Sequence, residues 1–110
     1  MKTNAIKRGD IVECGTGKQR RQYLVLTSEP YHERAGAFIG CPVRPDAEAG
    51  RLAVGLKASG KAAVAMPHLV TAQALSHREK VVGRATRKQL SEVLQRLLPL
   101  IGIDELAGLE

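Results

Sequence analysis

The stretch RGDIVECGTGKQRRQYLVLTSE (residues 8–29) sets how the rest of the chain is read. DIVEC and QYLVLTS are rich in β-forming residues, and GTGK between them is a breaker cluster, so the pattern predicts two strands joined by a loop. Four cations, Lys18, Arg20, Arg21 and the more distant Arg8, surround that connection. Such charges either blunt a sheet edge against self-association or hold an anion. Arginine suits the second role, because its guanidinium makes forked hydrogen bonds to phosphate oxygens and stays charged when partly desolvated. In an extended strand Arg20 and Arg21 point to opposite faces, so one is expected to face a groove and the other solvent.

The pattern continues with short strands at about 36–43, 51–57, 62–66, 69–74 and 79–84, after the first two at about 10–14 and 22–28. RPDAEAG and ASGK supply further breaks, and the polar SEPYHERAG is expected to hold one helical turn after Pro30. Strands so closely spaced point to a compact antiparallel barrel or curled sheet. The end of the chain differs in kind. Thr86 and Gln89 have capping-box spacing, and Leu90, Val93, Leu94, Leu97, Leu98 and Ile101 mark one face of a helix. With Pro99 in the last turn and Gly102 just beyond, this helix is expected over about 87–101. The acidic tail that follows reads as a frayed terminus or a docking segment. The whole of 1–110 is expected to be a single domain, mainly β with a C-terminal helix.

Composition bounds the function. The chain has 110 residues, a formal net charge of +6 and a pI near 9.8, which favours a polyanionic partner such as nucleic acid or an acidic protein. Aromatic content is only 3%, leaving Tyr23, Tyr31 and Phe38 to stack on bases, so any RNA contact must rest on Arg, Lys and backbone groups. Cys14 and Cys41 fall on different predicted strands without metal-ligand spacing and are expected to be buried free thiols, with no metal or cofactor. His32, His68 and His77 are scattered. Apolar runs are too short to span a bilayer and MKTNAIKRGD has no apolar signal core, so a cytoplasmic location is expected. No nucleophile elbow, Walker loop or HExxH is present.

Taken in order, the motifs resemble the MazF/PemK family of toxin endoribonucleases. KRGDIV (7–12) is similar to the family's N-terminal RGDI strand, RQYLVLTSE (21–29) to its RPALVLS segment, and CPV (41–43) to a strand end with its proline. KVVGRATRKQLSEV (80–93) resembles the family's KVIGRLSxExLxxV lead into the last helix. The resemblance implies an SH3-like barrel of strongly bent sheet with a C-terminal helix. It also implies a homodimer whose groove cuts single-stranded mRNA without metal, neutralised by an acidic antitoxin. Cleavage by the adjacent ribose 2′-hydroxyl needs a proton acceptor, a cation for the phosphorane and a donor to the leaving oxygen.

Carried over residue by residue, the resemblance assigns Arg21 as the catalytic arginine, with Lys18, Gln19, Arg20 and Gln22 as its RNA-binding surround. Gln22 stands where the family has proline, and Arg44 where it has a hydroxyl residue. Pro67 and His68 occupy the place of an acidic residue and a glutamine, so Arg44 and His68 complete the expected catalytic set. Parts of the chain also resemble the gyrase poison CcdB, which shares the fold: ALSHRE (74–79) and LPLIGI (98–103). A DNA gyrase poison, or a member that only binds a peptide partner, are therefore the alternative readings.

Overall fold

The structure, a computed structural model, describes residues 5–15, 17–45, 53–76 and 78–100. Seven strands and two helices follow in the order β1 (Asp10–Cys14), β2 (Arg21–Val25), α1 (Glu29–Ala35), β3 (Ala37–Arg44), β4 (Val54–Ala58), β5 (Lys61–Ala65), β6 (Thr71–Ala74), β7 (Lys80–Arg84) and α2 (Arg87–Leu100). Single 3-10 turns occupy Gly17–Gln19 and Pro67–Leu69. All pairings are antiparallel, in the order β4-β5-β3-β2-β1-β7, with β6 also on β3.

Strand β3 is the pivot. Its first half, Ala37–Gly40, pairs with β6, while Val43 and Arg44 pair with β5 along the same edge. The sheet bends tightly here, and a Cβ on Gly40 would stand 2.6 Å from the Leu24 carbonyl oxygen, so only glycine fits. The β4–β5 hairpin turns through Ser59 (φ 52°) and Gly60 (φ 76°), two left-handed residues of the kind a tight hairpin favours. The tip reaches back to the far edge, where the Ser59 amide donates to the Val82 carbonyl at 2.7 Å. The result is a curled antiparallel half-barrel with a C-terminal helix.

Alternation along the strands separates two cores. Ile11, Leu24 and Cys41 lie in register on one face, where α2 adds the buried Val93 and Leu97. Val12 and Tyr23 turn to the other face with Val25 and Phe38, and the Tyr23 and Phe38 rings meet edge-on at 6.1 Å. The N-terminal RGD is architectural. Asp10 is 5% exposed, its Oδ2 accepting the Lys7 amide at 2.8 Å and its Oδ1 the Arg84 guanidinium at 2.9 Å. Gly9 meanwhile donates to the Val25 carbonyl and accepts the Ala85 amide, tying the entry of β1 to the end of β2 and to the residue after β7.

Several expectations shift. Strand β2 stops at Val25 rather than 28, because the Thr27 hydroxyl takes over the ladder by accepting the Ile39 amide at 3.1 Å. The predicted turn after Pro30 is a seven-residue helix starting at Glu29, closed by Gly36 in the left-handed region. Pro67–Leu69 is a turn, so the strand expected from 69 begins at Thr71. Strand β4 runs on to Ala58, and Arg51 and Leu52 lie outside the described residues. The capping box of α2 forms as expected: the Gln89 amide donates to Thr86 Oγ1 at 3.1 Å and the Thr86 amide to Gln89 Oε1 at 2.9 Å. Leu98, however, is 40% exposed. It lies about 80° round the helix from Leu90, off the centre of the apolar stripe. Cys41 is buried but Cys14 only half-buried. The expected end of α2 at Ile101 and Gly102, and the tail, lie outside the described residues.

Candidate active site

The C-terminal ends of β1 and β3 and the N-terminal end of β2 come together at one end of the sheet. Between them lies an open cleft of about 610 Å³. Strand β1 contributes Glu13, the connection Arg20, β2 Arg21, Gln22 and Tyr23, and β3 Pro42, Val43 and Arg44, with Pro45 just after it. The β1–β2 connection is held back on itself: Gly15 has φ 88°, and a Cβ there would meet the Gln19 carbonyl oxygen at 2.6 Å. The Arg20 amide and its Nε both reach the Gly17 carbonyl, at 3.4 and 3.3 Å.

Arg21 and Arg44 face each other across the sheet. Gln22 pairs with Val43, and that register continued by one residue sets Arg21 opposite Arg44 on the same face. Both side chains are exposed, and neither has a hydrogen-bond or ion-pair partner among the described residues. Like charges directly opposite repel, and an anion seated between them relieves that repulsion. Arg20 differs: its guanidinium stands 3.6 Å from Glu13 Oε1. The cleft thus sets three guanidinium groups against one carboxylate.

Gln22 lies beneath this surface. Its Nε2 donates to Glu13 Oε2 at 3.4 Å, while its Oε1 is buried without a partner. A carboxylate only accepts, so the amide is oriented this way round. Neither thiol is a nucleophile. Burial first, then the charges of Glu79 and Glu13, pushes Cys14 up to about 11. Burial likewise takes Cys41 to about 12, against the opposing effect of backbone hydrogen bonds.

Of the residues expected at the site, Arg20, Arg21, Gln22 and Arg44 converge on the cleft. Arg20 and Arg21 both line it, rather than one turning away, because Arg20 belongs to the connection and not to the strand. Lys18 and Gln19 are exposed on the adjoining 3-10 turn, outside the lining. His68 sits exposed on the Pro67–Leu69 turn, also outside it. His32 is buried against Thr27, its Nε2 2.7 Å from Oγ1, and His77 lies outside the described residues. Tyr23 and Phe38 are core residues, which leaves Tyr31 as the exposed aromatic among the described residues. Sequence reasoning missed Glu13, the second acidic residue of DIVEC after Asp10. Among the described residues no three or more His, Cys, Asp or Glu are grouped to hold a metal ion, and no helix is long and apolar enough to cross a membrane.

A family model described as "PemK-like, MazF-like toxin of type II toxin-antitoxin system" matches residues 7–101. Among solved structures, the MazE–MazF complex of Deinococcus radiodurans (Form-II) is similar at a TM-score of 0.80 and 26% identity, covering 90% of this chain and 97% of that one. MazF alone from the same organism gives a TM-score of 0.77 at 26% identity, with 91% and 99% covered. A mycobacterial endoribonuclease in complex with its cognate antitoxin shares the fold at 12% identity and a TM-score of 0.73, with 90% and 95% covered. No curated protein sequence matches significantly. Family match, curled sheet and arginine-lined cleft agree, and the chain belongs to the PemK-like, MazF-like toxins of type II toxin–antitoxin systems.

Proposed function

We propose that this toxin is an endoribonuclease that cuts single-stranded RNA at the cleft, by attack of a ribose 2′-hydroxyl on the adjacent phosphate. The observation that carries the reading is the cross-strand couple Arg21 and Arg44, without a hydrogen-bond or ion-pair partner among the described residues and open to solvent at the end of a groove. Two forked donors facing each other suit a phosphate diester whose charge grows as the phosphorane forms. The nucleophile belongs to the substrate, and the arginines supply positive charge where the phosphorane's negative charge develops. Arg20 joins them, with Lys18 and Gln19 on the rim to steer the strand. His68 stands apart from the cleft lining and takes no step here.

The toxin works as a homodimer, and its antitoxin is an acidic segment competing with RNA for the same three guanidinium groups. The MazE–MazF complex of Deinococcus radiodurans supports a protein antitoxin. The CcdB-like ALSHRE has a local explanation: the Ser76 amide and hydroxyl both donate to Glu79 Oε2, at 2.6 and 2.7 Å, bracketing the turn into β7.

The test is to incubate the purified protein with a long unstructured RNA in EDTA and map the new 5′ ends. Recurrent cuts at a short motif are expected, with Arg21→Ala slower by about 100- to 1,000-fold. RNA left intact at high protein concentration contradicts the reading.

A further inference from the structure

We propose that Glu13 is the catalytic base of the cleft, the group that takes the proton from the attacking 2′-hydroxyl. The proposal rests on the ribonuclease reading above. That chemistry needs an acceptor beside its cations, and the lining offers few. Arg20, Arg21 and Arg44 donate only, the Gln22 amide is not a base, Tyr23 is 7% exposed, and Val43 and the two prolines have no side-chain acid or base. Glu13 is the single carboxylate among the lining residues.

Its setting suits the role. The side chain is 22% exposed, so it is sheltered yet reachable. Arg20 stands 3.6 Å from Oε1 and Gln22 Nε2 3.4 Å from Oε2. Both contacts are longer than the 2.7–2.9 Å of a closed charge-assisted bond, so the carboxylate is oriented while lone pairs stay free for a hydroxyl. Its nearest charges are Arg20 in the connection, at 3.6 Å, and Lys80 opposite it on β7; Arg21 on β2 and Arg44 on β3 line the same cleft from the other face of the sheet. Cys14 and Glu79 are also near, since both Glu13 and Glu79 act on the Cys14 thiol.

In the step, the 2′-O–H bond breaks and its proton passes to a Glu13 oxygen. The freed electron pair forms the 2′-oxygen–phosphorus bond, and the bond from phosphorus to the 5′-oxygen breaks. The departing oxygen takes a proton from water, and Glu13 returns its own to the hydroxide left behind. The products are a 2′,3′-cyclic phosphate and a 5′-hydroxyl.

The test compares wild type, Glu13→Gln, Glu13→Asp and Arg21→Ala in single-turnover cleavage of one oligoribonucleotide over about pH 5 to 9. Affinity is measured separately for the same oligonucleotide carrying 2′-deoxyribose at the cut site. Glu13→Gln is expected to cleave about 100-fold slower or worse, to bind the deoxy analogue as wild type does, and to lose a limb of the pH–rate profile that wild type shows. Glu13→Asp is expected to keep that limb at a reduced rate. Cleavage by Glu13→Gln within about threefold of wild type, with an unchanged profile, overturns the proposal; inactive Arg21→Ala alongside it leaves the ribonuclease reading standing. A loss of analogue affinity matching the loss of rate makes Glu13 a binding residue and overturns it too. Circular dichroism checks the fold; if Glu13→Gln is unfolded, a flat profile for Glu13→Asp overturns the proposal. Intact RNA with wild type overturns both readings together.

Discussion

Arg21 and Arg44 show how much depends on side-chain geometry rather than charge. A forked guanidinium meets two phosphate oxygens at once, whereas an ammonium offers a point charge. Arg21→Lys is therefore expected to keep most RNA affinity but lose about tenfold or more in cleavage rate, measured as kcat on a short RNA. The thiols give a second prediction, on stability. Folding raises Cys14 to about 11 and Cys41 to about 12, from an ordinary 9.0. Below the unfolded value both states hold the proton and nothing is lost; above it the unfolded chain ionises first, so stability falls as pH rises from about 9 towards 11. Urea midpoints at about pH 7 and pH 10 should show this fall, and Cys41→Ala should flatten part of it. Arg21 was legible from a cationic loop and a family motif. Glu13 was not, because nothing in DIVEC says that this strand end meets the ends of β2 and β3.

Strands and helices were legible where their signals are local. The capping box and the 3.6-residue stripe located α2, and Thr86→Ala is expected to cost about 1 kcal/mol in urea unfolding. Leu97→Ala, which empties a position 8% exposed under the helix, should cost more, about 2–5 kcal/mol. Boundaries were missed where a side chain replaced the backbone ladder. Thr27 ends β2 through its hydroxyl, a contact that depends on Ile39, twelve residues away. The RGD turn is a related case: the motif was visible, but its partner Arg84 lies far along the chain. Asp10→Ala removes both of its bonds and leaves the Lys7 amide without its acceptor, so a loss of about 1–3 kcal/mol is expected, with the cleft chemistry itself untouched.

The assembled molecule decides what the sequence pattern could only bracket, barrel or curled sheet. The β4–β5 hairpin returns to β7 through Ser59 and Val82, and β3 carries two partners on one edge, so the sheet curls and its strand ends gather around the cleft. Those pairings join residues distant in sequence, which periodicity does not report. The net charge of +6 acts over the same distance. If the three cleft arginines neutralise about two to three phosphates, RNA affinity should fall with salt at a log–log slope of about −2, with Arg44→Ala reducing its magnitude. The nature of the cut ends bears most directly on the proposed chemistry. Mass spectrometry of an oligoribonucleotide cleaved in EDTA should find the upstream product one water lighter than its linear phosphate and a downstream product with a free 5′-hydroxyl. A single 2′-deoxyribose at the cut site should abolish cleavage. Products ending in a 5′-phosphate, or efficient cutting of the deoxy substrate, would contradict attack by the ribose hydroxyl in this cleft.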